Sequence, residues 1–435
     1  SQLMPVIPKD KAYYAMQANL SLAELIYHAS DFLTALFLVF LVLGFARLLF
    51  MYILMIREKR REKRRAYPQL DKTNAAKVSI IVPAYNEEVN VVRTLENLKM
   101  QDYPNFDIVF VDDGSKDNTL KRVQEAFADD PNIVILTKQN AGKASALNYG
   151  IVHTTAEYVV CIDADTQLRK NAVTLLMRHY LTDTEGKIGA VAGNVKVGNQ
   201  RNMLTRWQAI EYTTSQNFDR MAYASINAIT VVPGAIGAFR KKAIEDAGGF
   251  NTDTLAEDCD LTMGILEKDY VIENENAAIA MTEAPESLRQ FVKQRTRWTF
   301  GVMQTFWKHR AALFSKKHKG FGLWAMPNML IFQYIIPTFS PLADLMMLFG
   351  LFMGNGWQIF IYYLLFLLVD GSVSIMAYIV EKEPLWVLLW IIPQRFFYRW
   401  VMYYVIFKSY MKAIKGELQS WGVLKRTGNV TIANK

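Results

Sequence analysis

The stretch EYVVCIDAD, Glu157–Asp165, is a short apolar segment of the kind found in buried strands, with two acidic residues at its end. Two earlier stretches have the same form: VSIIVPAY at 78–85 and FDIVFVDD at 106–113 are β-rich and end in polar loops. Amphipathic helical stretches separate them, and this alternation predicts an α/β fold with a doubly wound, mostly parallel sheet. Ligands bind such sheets beyond the carboxyl ends of the strands, where these acidic loops lie.

An apolar segment precedes the predicted sheet. Phe32–Ile56 contains 25 residues with one charge, Arg47, and is long enough to span about 30 Å of hydrocarbon. The next nine residues, REKRREKRR at 57–65, include seven basic ones. The positive-inside rule places this end in the cytoplasm and the N-terminus outside.

Three apolar runs, 323–354, 357–380 and 384–407, follow the sheet region. Three complete crossings would leave the C-terminus outside, whereas the basic residues that follow favour the inside. Those residues are Lys408, Lys412, Lys415, Lys425 and Arg426. Either the first run is broken into a pair of spans, or one of the three runs does not cross. We expect the start of the third run, EPLWVLLWIIPQ, to lie in the membrane interface or to form a re-entrant segment.

The resulting organisation places a soluble α/β domain between membrane segments. Residues 287–307 have apolar residues at helical spacing and a cationic polar face, which is typical of a helix lying in the membrane interface. The predicted segments are an extracytoplasmic stretch (1–31), a transmembrane helix (32–56), a basic cytoplasmic linker (57–76), the cytoplasmic α/β domain (77–285), amphipathic interfacial helices (286–322), a C-terminal transmembrane and interfacial region (323–407) and a basic cytoplasmic tail (408–435).

Charge and composition narrow the function classes. The chain of 435 residues carries a net charge of +8, which suits nucleotides, phosphates or an anionic membrane face as partners. The phosphate-binding pattern GxxxxGK[ST] is absent from the sequence, which disfavours ATP hydrolysis. The two cysteines lie in separate motifs and suggest no disulfide framework.

Acidic residues lie in two predicted loops that follow strands. Asp113, in DDGS, follows a strand and is suited to accept hydrogen bonds from a uracil or ribose, although turn chemistry also explains this motif. Asp163 and Asp165 are two residues apart, so on an extended segment they would point to the same side. One could hold a ribose while the other binds Mg²⁺ or Mn²⁺ bridging two phosphates.

Further charged motifs complete the set. The stretch LAEDCDLT places Glu257, Asp258 and Asp260 at a helix start, where one carboxylate could be a general base. Lys143, in a Gly-Ala loop, can reach a phosphate. The motif QRTRW, Gln294–Trp298, offers two arginines for a departing diphosphate and an indole for a sugar ring.

In this order, DDGS, DAD, AED and QRTRW followed by membrane spans resemble the processive family 2 glycosyltransferases, over roughly residues 32–425. That family includes synthases of cellulose, chitin oligosaccharides, hyaluronan and poly-β-1,6-N-acetylglucosamine, and the layout is most similar to the bacterial poly-N-acetylglucosamine synthases. The resemblance implies a GT-A-like fold. Ala256 replaces the family's usual Thr before Glu-Asp, which bears on sugar preference.

The resemblance also implies a role for each motif residue. Asp258 would be the catalytic base and Asp165 the metal ligand, with Mg²⁺ or Mn²⁺ as the cofactor. The implied donor-binding residues are Asp113, Lys143, Asp163, Arg295 and Arg297. The implied acceptor-binding residues are Gln294, Trp298 and Glu257.

The implied activity is an inverting, processive β-glycosyltransferase in the plasma membrane that polymerises sugar from a UDP-sugar, with UDP-N-acetylglucosamine favoured. Its expected partners are the growing polysaccharide, the lipid bilayer and a small accessory membrane subunit, but no nucleic acid. Alternatives are a transferase of one sugar to a polyprenyl or lipid phosphate, a UDP-glucose-dependent β-glucan synthase, and a degenerate nucleotide-sugar sensor or structural membrane subunit without turnover.

Overall fold

The computed structural model describes residues 10–352 and 356–415. The first nine residues and the predicted tail beyond Lys415, including Lys425 and Arg426, lie outside these ranges.

A single mixed sheet of eight strands forms the centre of the molecule, in the order β3-β2-β1-β4-β7-β6-β8-β5. Pairs β1–β2, β2–β3, β1–β4 and β6–β8 are parallel, and pairs β4–β7, β6–β7 and β5–β8 are antiparallel. The strands are β1 (Val78–Ala84), β2 (Phe106–Asp112), β3 (Ile133–Thr137), β4 (Tyr158–Cys161), β5 (Gln167–Leu168), β6 (Ile188–Val197), β7 (Gly237–Arg240) and β8 (Val271–Thr282). The predicted parallel arrangement is confirmed for β1 to β4, and β5 and β7 make the remainder mixed.

Helices cover both faces of the sheet. Side chains alternate along β1, so Ile81 packs into one hydrophobic cluster while Ile80 and Val82 pack into the other. The two clusters give the three-layer architecture typical of doubly wound folds. The helices of this part are α2 (Val91–Lys99), α3 (Thr119–Phe127), α4 (Lys143–Val152), α5 (Ala172–Leu181), α6 (Met203–Glu211), α7 (Phe218–Ala224), α8 (Lys241–Asp246) and α9 (Glu257–Glu267).

The N-terminal helix α1, Lys11–Arg64, is longer than the predicted span and contains 54 residues. It includes residues 10–31 almost entirely, as well as the first part of the predicted basic linker. Near its C-terminal end Met51, Leu54 and Met55 are buried in the core cluster on one face of the sheet. The helix is therefore anchored to the α/β domain at its basic end.

The C-terminal part is helical and less regular. Helix α10 (Leu288–Lys308) is followed by a short 3₁₀ turn (Arg310–Ala312). Two π-helical segments (Phe321–Ala325 and Met329–Ile335) then flank the short helix α11 (Met326–Asn328). The remaining elements are α12 (Ile336–Phe352), α13 (Gly356–Glu381), a 3₁₀ turn (Leu385–Trp390) and α14 (Ile391–Lys415). Within the described ranges, α1 and α13 are long and apolar enough to cross a membrane, and only 6% of the most apolar window of each is buried in the protein.

Helix α14 packs along α10. The rings of Phe291 and Tyr398 lie 5.2 Å apart, and the hydroxyl of Ser409 donates to the carbonyl oxygen of Thr296 over 3.5 Å. The start of the third apolar run is a 3₁₀ turn, so it begins with an irregular segment rather than as a regular spanning helix.

An ionic cluster fixes α9 against the end of α10. The buried carboxylate of Asp260 lies 2.9 Å from Lys308 Nζ and 2.9 Å from His309 Nε2, and His309 Nδ1 lies 3.0 Å from Glu267. Burial alone would lower the pKa of His309, but hydrogen bonds to Asp260 and Glu267 outweigh it and raise this pKa to about 9. His309 is therefore a cation that joins two acidic residues of α9.

Replacing His309 with Gln should destabilise the protein at low pH more than at high pH. Because the folded-state pKa is raised, the stabilisation is fully present below about pH 6.5 and is lost as pH rises through about 9. We expect the apparent melting temperature to fall by roughly 5 °C at the lower pH. The difference between the wild type and the variant should shrink above about pH 9. If the melting temperatures of the wild type and the variant differ by the same amount at low and high pH, the assignment of His309 as a cation in the folded protein would be contradicted.

Candidate active site

The ammonium group of Lys143 joins two acidic segments that are far apart in sequence. Lys143 begins α4, and its Nζ lies 2.6 Å from Asp163 Oδ1 and 3.1 Å from Glu257 Oε1. Burial opposes its charge, but the two carboxylates and Asp258 nearby outweigh this effect and raise the pKa of Lys143. The side chain is therefore a permanent cation between the loop after β4 and the start of α9.

The short loop around Gly234 closes over this ion pair. A Cβ atom added to Gly234 would lie 2.6 Å from Lys143 Nζ and 3.7 Å from both carboxylate oxygens of Asp163. A side chain at this position would therefore displace the Lys143 ammonium group, which is the far end of a flexible side chain, from its present position.

Asp113 holds the loop that leads into α4. Its carboxylate accepts hydrogen bonds from Lys138 Nζ (2.9 Å) and from the backbone N–H groups of Ala141 (3.1 Å) and Gly142 (2.8 Å). The residue is fully buried. In the structure its carboxylate thus orders the approach to Lys143, and contact with a uridine stays a prediction.

Asp163 and Asp165 share one turn but differ in exposure. Strand β4 ends at Cys161, so the two residues follow the strand in a turn, which is closed by Thr166 N–H donating to Asp163 O over 3.0 Å. The predicted extended conformation of this segment is therefore wrong, whereas the use of both carboxylates at one site stays a prediction. The Asp163 side chain is 32% exposed, whereas Asp165 is 4% exposed and accepts a hydrogen bond from Thr166 Oγ1 over 3.3 Å.

The turn fits a divalent ion that the protein holds only in part. In the ranges that the structure describes, no group of three or more His, Cys, Asp or Glu residues could hold a metal by itself. The two carboxylates of Asp163 and Asp165 offer the oxygen ligands that Mg²⁺ and Mn²⁺ prefer. Such ions usually retain water and substrate phosphates as the other ligands, which this turn would require.

Asp258 lies beside the Lys143 cluster, in the first turn of α9. Burial and the neighbouring Glu257 raise the pKa of Asp258 to about 6, and Lys143 partly offsets them. A hydrogen bond of 2.8 Å from the Cys259 N–H orients its carboxylate. Asp260 in the same turn points away, into the Lys308–His309 cluster, so Asp258 is the carboxylate of this turn that is suited to accept a proton near neutral pH.

The motif QRTRW lies in α10, and its residues have different environments. Arg295 is 5% exposed, and its guanidinium donates to both carboxylate oxygens of Glu211 over 2.5 and 2.7 Å. The same guanidinium lies 4.8 Å from the ring centres of Phe291 and Trp298. The charge of Arg295 is thus held by Glu211 in a bidentate pair, and its contact with a diphosphate stays a prediction.

The other motif residues are placed differently. Gln294 is 7% exposed, and its Oε1 has no hydrogen-bond partner among the described residues. Arg297 is half-buried and, within the same part of the chain, makes no ion pair. It is therefore the arginine of the motif whose charge is available for a ligand.

Comparison with known proteins finds a family to which the α/β part is similar. Residues 79–248 match the model of glycosyl transferase family 2. The matched residues are thus similar to a family 2 glycosyltransferase domain. The match includes Asp113, Lys143, Asp163 and Asp165, and it ends before α9 and α10.

Curated relatives agree with the glycosyltransferase assignment. A poly-β-1,6-N-acetyl-D-glucosamine synthase of Staphylococcus epidermidis is 32% identical over 234 residues, which is 53% of this chain and 56% of that protein. A synthase of the same name from Staphylococcus aureus (strain COL) is 29% identical over 269 residues, 62% of this chain and 63% of that protein. The matched region thus spans somewhat more than half the length of these relatives.

A solved structure shares the glycosyltransferase fold. The mannosyltransferase PcManGT from Pyrobaculum calidifontis, in complex with GDP-Man and Mn²⁺, matches with a TM-score of 0.57 and 22% identity. The match covers 81% of this chain and 97% of the mannosyltransferase. The GT-A-like fold implied by the sequence resemblance is therefore confirmed.

Two residues near the glycosyltransferase site were not found from the sequence. Glu211, the partner of Arg295, directly precedes a π-helical segment, Tyr212–Asn217. Such π segments frequently mark functional sites, but the stretch IEYTTSQNF carries no sequence signal for one. Gly234 lies in VVPGAIGAF, and only the geometry shows which of its two glycines approaches Lys143.

Substitution of Gly234 by Ala should weaken donor binding and lower transfer by about 100-fold, because a misplacement of about 1 Å in an active site has this effect. The added methyl group would displace Lys143 Nζ from Asp163. The steady-state rate and the dissociation constant for UDP measure the effect. Gly44→Ala is the matched control, since an added Cβ meets nothing within 4 Å there. Wild-type values for both variants would refute the close approach.

The pH dependence of kcat/KM tests the state of Asp258. A general base acts only when ionised, so kcat/KM should fall tenfold per pH unit below about pH 6. Because Glu257 raises this pKa, Glu257→Gln should move the acidic limb to lower pH. A limb that is unchanged in Glu257→Gln would show that another group governs it.

Proposed function

We propose that the chain is a membrane-embedded, inverting β-glycosyltransferase that extends a polysaccharide from a UDP-sugar, with UDP-N-acetylglucosamine as the favoured donor. The observation that carries this proposal is the Lys143 cluster. This cluster consists of Lys143, Asp163 and Glu257, and its ion pairs hold the turn after β4 next to the start of α9. A donor bound at Asp163 would therefore lie beside Asp258.

The proposed reaction is one in-line displacement. Asp258 accepts the proton of an acceptor hydroxyl while that oxygen forms a bond to the anomeric carbon of the donor. The bond between this carbon and the phosphate oxygen breaks on the opposite side, and UDP leaves. The configuration is inverted from α to β, and no covalent enzyme intermediate is required.

Several groups are proposed to stabilise the negative charge of the departing diphosphate. Lys143 and Arg297 are the cations that we assign to the diphosphate, because Lys143 lies at the donor loop and Arg297 is not paired within the described residues. A divalent ion bound by Asp165 with Asp163 would neutralise developing phosphate charge when present. We assign Arg295 to positioning Trp298, since its guanidinium lies on that ring.

The acceptor side is assigned to α10 and α9. Trp298 offers an indole face to a sugar, and Gln294 carries a buried amide oxygen without a hydrogen-bond partner among the described residues. Glu257 adjoins Asp258 and is held by Lys143. These three residues are proposed to contact the end of the growing chain.

Membrane embedding is proposed for α1, α12 and α13, with the glycosyltransferase domain in the cytoplasm and the N-terminus outside. The apolar windows of α1 and α13 are almost entirely unburied in the protein, and burial in lipid would remove that surface from water. We propose that α14 does not cross, because it packs along α10, whose proposed place is the interface. The basic tail would then lie in the cytoplasm of the plasma membrane.

The names of the Staphylococcus relatives support poly-β-1,6-N-acetylglucosamine as the product. A transferase of one sugar to a polyprenyl phosphate and a UDP-glucose-dependent β-glucan synthase are the second candidates. Interfacial α10, with QRTRW facing the domain, favours a polymer over a single transfer. A small accessory subunit stays an expectation.

Incubation of purified protein with radiolabelled UDP-sugars and Mg²⁺ or Mn²⁺ separates these candidates. We expect long N-acetylglucosamine polymer from UDP-N-acetylglucosamine. A single lipid-linked sugar would favour the second candidate, and UDP binding without any product would refute the enzyme proposal.

Asp258→Asn should reduce polymer formation by at least about 100-fold, within the range that general-base catalysis contributes. UDP binding should be retained, because the assigned donor contacts are elsewhere. Asp253→Asn is the control with the same chemical change, on a side chain that is 62% exposed. Wild-type turnover in Asp258→Asn would overturn the assignment of the base.

A further inference from the structure

A cleft of about 1160 Å³ lies away from the Lys143 cluster. Its walls come from the end of α1, the loop between β5 and α5, the strands β6 and β8, and the end of α13. None of the residues assigned to transfer lines it. The cleft is therefore distinct from the proposed active site.

An irregular strand pair forms the floor of this cleft. Ala192 of β6 pairs with Asn274 of β8, and the next pair is Asn194 with Ile279. Strand β8 thus advances five residues where β6 advances two, and Glu275, Asn276 and Ala277 bulge into the cleft lining. Bulges are common beside functional sites because they redirect side chains.

Three buried polar atoms in the cleft wall have no hydrogen-bond partner among the described residues: Asn194 Oδ1, Asn274 Nδ2 and Glu381 Oε1. Asn194 is 2% exposed, Asn274 is 6% exposed and the Glu381 side chain is 1% exposed. The other oxygen of Glu381 accepts from Asn194 Nδ2 (2.9 Å) and Lys196 Nζ (2.6 Å). Unpaired buried polar atoms are costly, so this wall lacks two donors and one acceptor.

Cations at the cleft are of two kinds. Lys59, Arg178 and Lys196 are each paired with a glutamate. Arg169, Lys170 and Lys382 also line the cleft, and their side chains make no hydrogen bond or ion pair with any other residue that the structure describes. The cleft lining therefore has six cations against four glutamates, and Lys196 is paired with two of these, Glu381 and Glu383. The excess of two positive charges favours an anionic ligand.

The cleft opens where the two candidate spans end. Lys59 is three residues beyond Ile56 on α1, and Lys382 directly follows the last residue of α13, Glu381. At a helical rise of about 1.5 Å per residue, these cations lie within a few ångströms of the ends of the apolar segments. If α1 and α13 cross the bilayer, the cleft lies at the depth of the cytoplasmic headgroups.

We propose that this cleft binds a phosphate ester with free hydroxyl groups, and that the headgroup of an anionic phospholipid is its source. The phosphate pairs with Arg169, Lys170 and Lys382. Hydroxyl groups donate to Asn194 Oδ1 and Glu381 Oε1, and an ester or hydroxyl oxygen accepts from Asn274 Nδ2. A glycerol phosphate headgroup supplies all of these atoms. The choice of a lipid as the source rests on the proposed membrane location. The choice of a phosphate ester with hydroxyl groups rests only on the residues of the cleft.

The test measures binding without transfer. Water-soluble dihexanoyl phosphatidylglycerol, dihexanoyl phosphatidylcholine and glycerol 3-phosphate are titrated into the full chain purified in detergent. The variant is Arg169→Gln/Lys170→Gln/Lys382→Gln. The control Lys121→Gln/Lys187→Gln/Lys242→Gln removes the same charge from side chains that are 72%, 67% and 68% exposed and lie outside the cleft.

We expect the wild type and the control to bind phosphatidylglycerol more tightly than phosphatidylcholine. The cleft variant should bind phosphatidylglycerol about 100-fold more weakly, since three cations that attract an anionic headgroup are removed. Glycerol 3-phosphate that binds as tightly as the lipid, and is lost in the cleft variant, would keep the site but assign it to a free ligand. Equal lipid binding by all three proteins would overturn the proposal and would indicate that water fills the cleft.

Binding of UDP in the same preparations separates this proposal from the proposed function. Retained UDP binding with no phosphatidylglycerol selectivity would refute the lipid site alone. If the wild type binds phosphatidylglycerol selectively but shows no UDP-sugar turnover, the transferase proposal alone would be refuted.

Discussion

The ion pairs of the Lys143 ammonium group are the interaction on which the site depends. Lys143 comes from the start of α4, Asp163 from the turn after β4, and Glu257 from the start of α9. A sheet brings strand ends to one edge, but it does not by itself bring α9 to them. The partly buried ammonium requires compensation by carboxylates, and this requirement holds the turn after β4 and the start of α9 at contact distance.

Other buried charges fix the remaining walls by the same principle. Asp260 binds Lys308 and His309, which joins α9 to the end of α10. Glu211 binds Arg295, which joins α10 to the helix preceding the π segment. Breaking one member of such a pair leaves an uncompensated charge, so each pair specifies one arrangement of α9 and α10 around Asp258. The relative position of the proposed base and the proposed acceptor wall is thus set by residues that need not touch a substrate.

Much of this arrangement follows from the sequence, and the exceptions have physical causes. The strands β1, β2 and β4 were predictable because each is a short apolar run that ends in an acidic loop. Asp163 and Asp258 could be proposed as site residues because Asp163 follows an apolar strand and Asp258 lies in an acidic helix start. The burial of Asp165 could not be predicted, because it depends on a turn that begins after Cys161. The pairing of Arg295 with Glu211 could not be predicted, because Glu211 lies 84 residues earlier, a separation that no local pattern reveals.

The length of α1 and the course of α14 were also beyond local pattern. Hydropathy locates an apolar window but not where a helix begins or ends, so a predicted span of 25 residues lies inside a helix of 54. The contacts of α14 with α10 are tertiary, and apolar composition alone cannot separate a spanning helix from one that packs on an interfacial helix.

A mutant cycle for UDP binding tests the central claim that Lys143 joins the two acidic segments. Asp163 and Glu257 are linked through Lys143 Nζ. The dissociation constant for UDP is measured for Asp163→Asn, Glu257→Gln and the double variant, and again with Lys143→Met. The account predicts that the two substitutions are non-additive by about 0.5–3 kcal/mol with Lys143 present, and additive with Lys143→Met. Additive effects in the presence of Lys143 would contradict it.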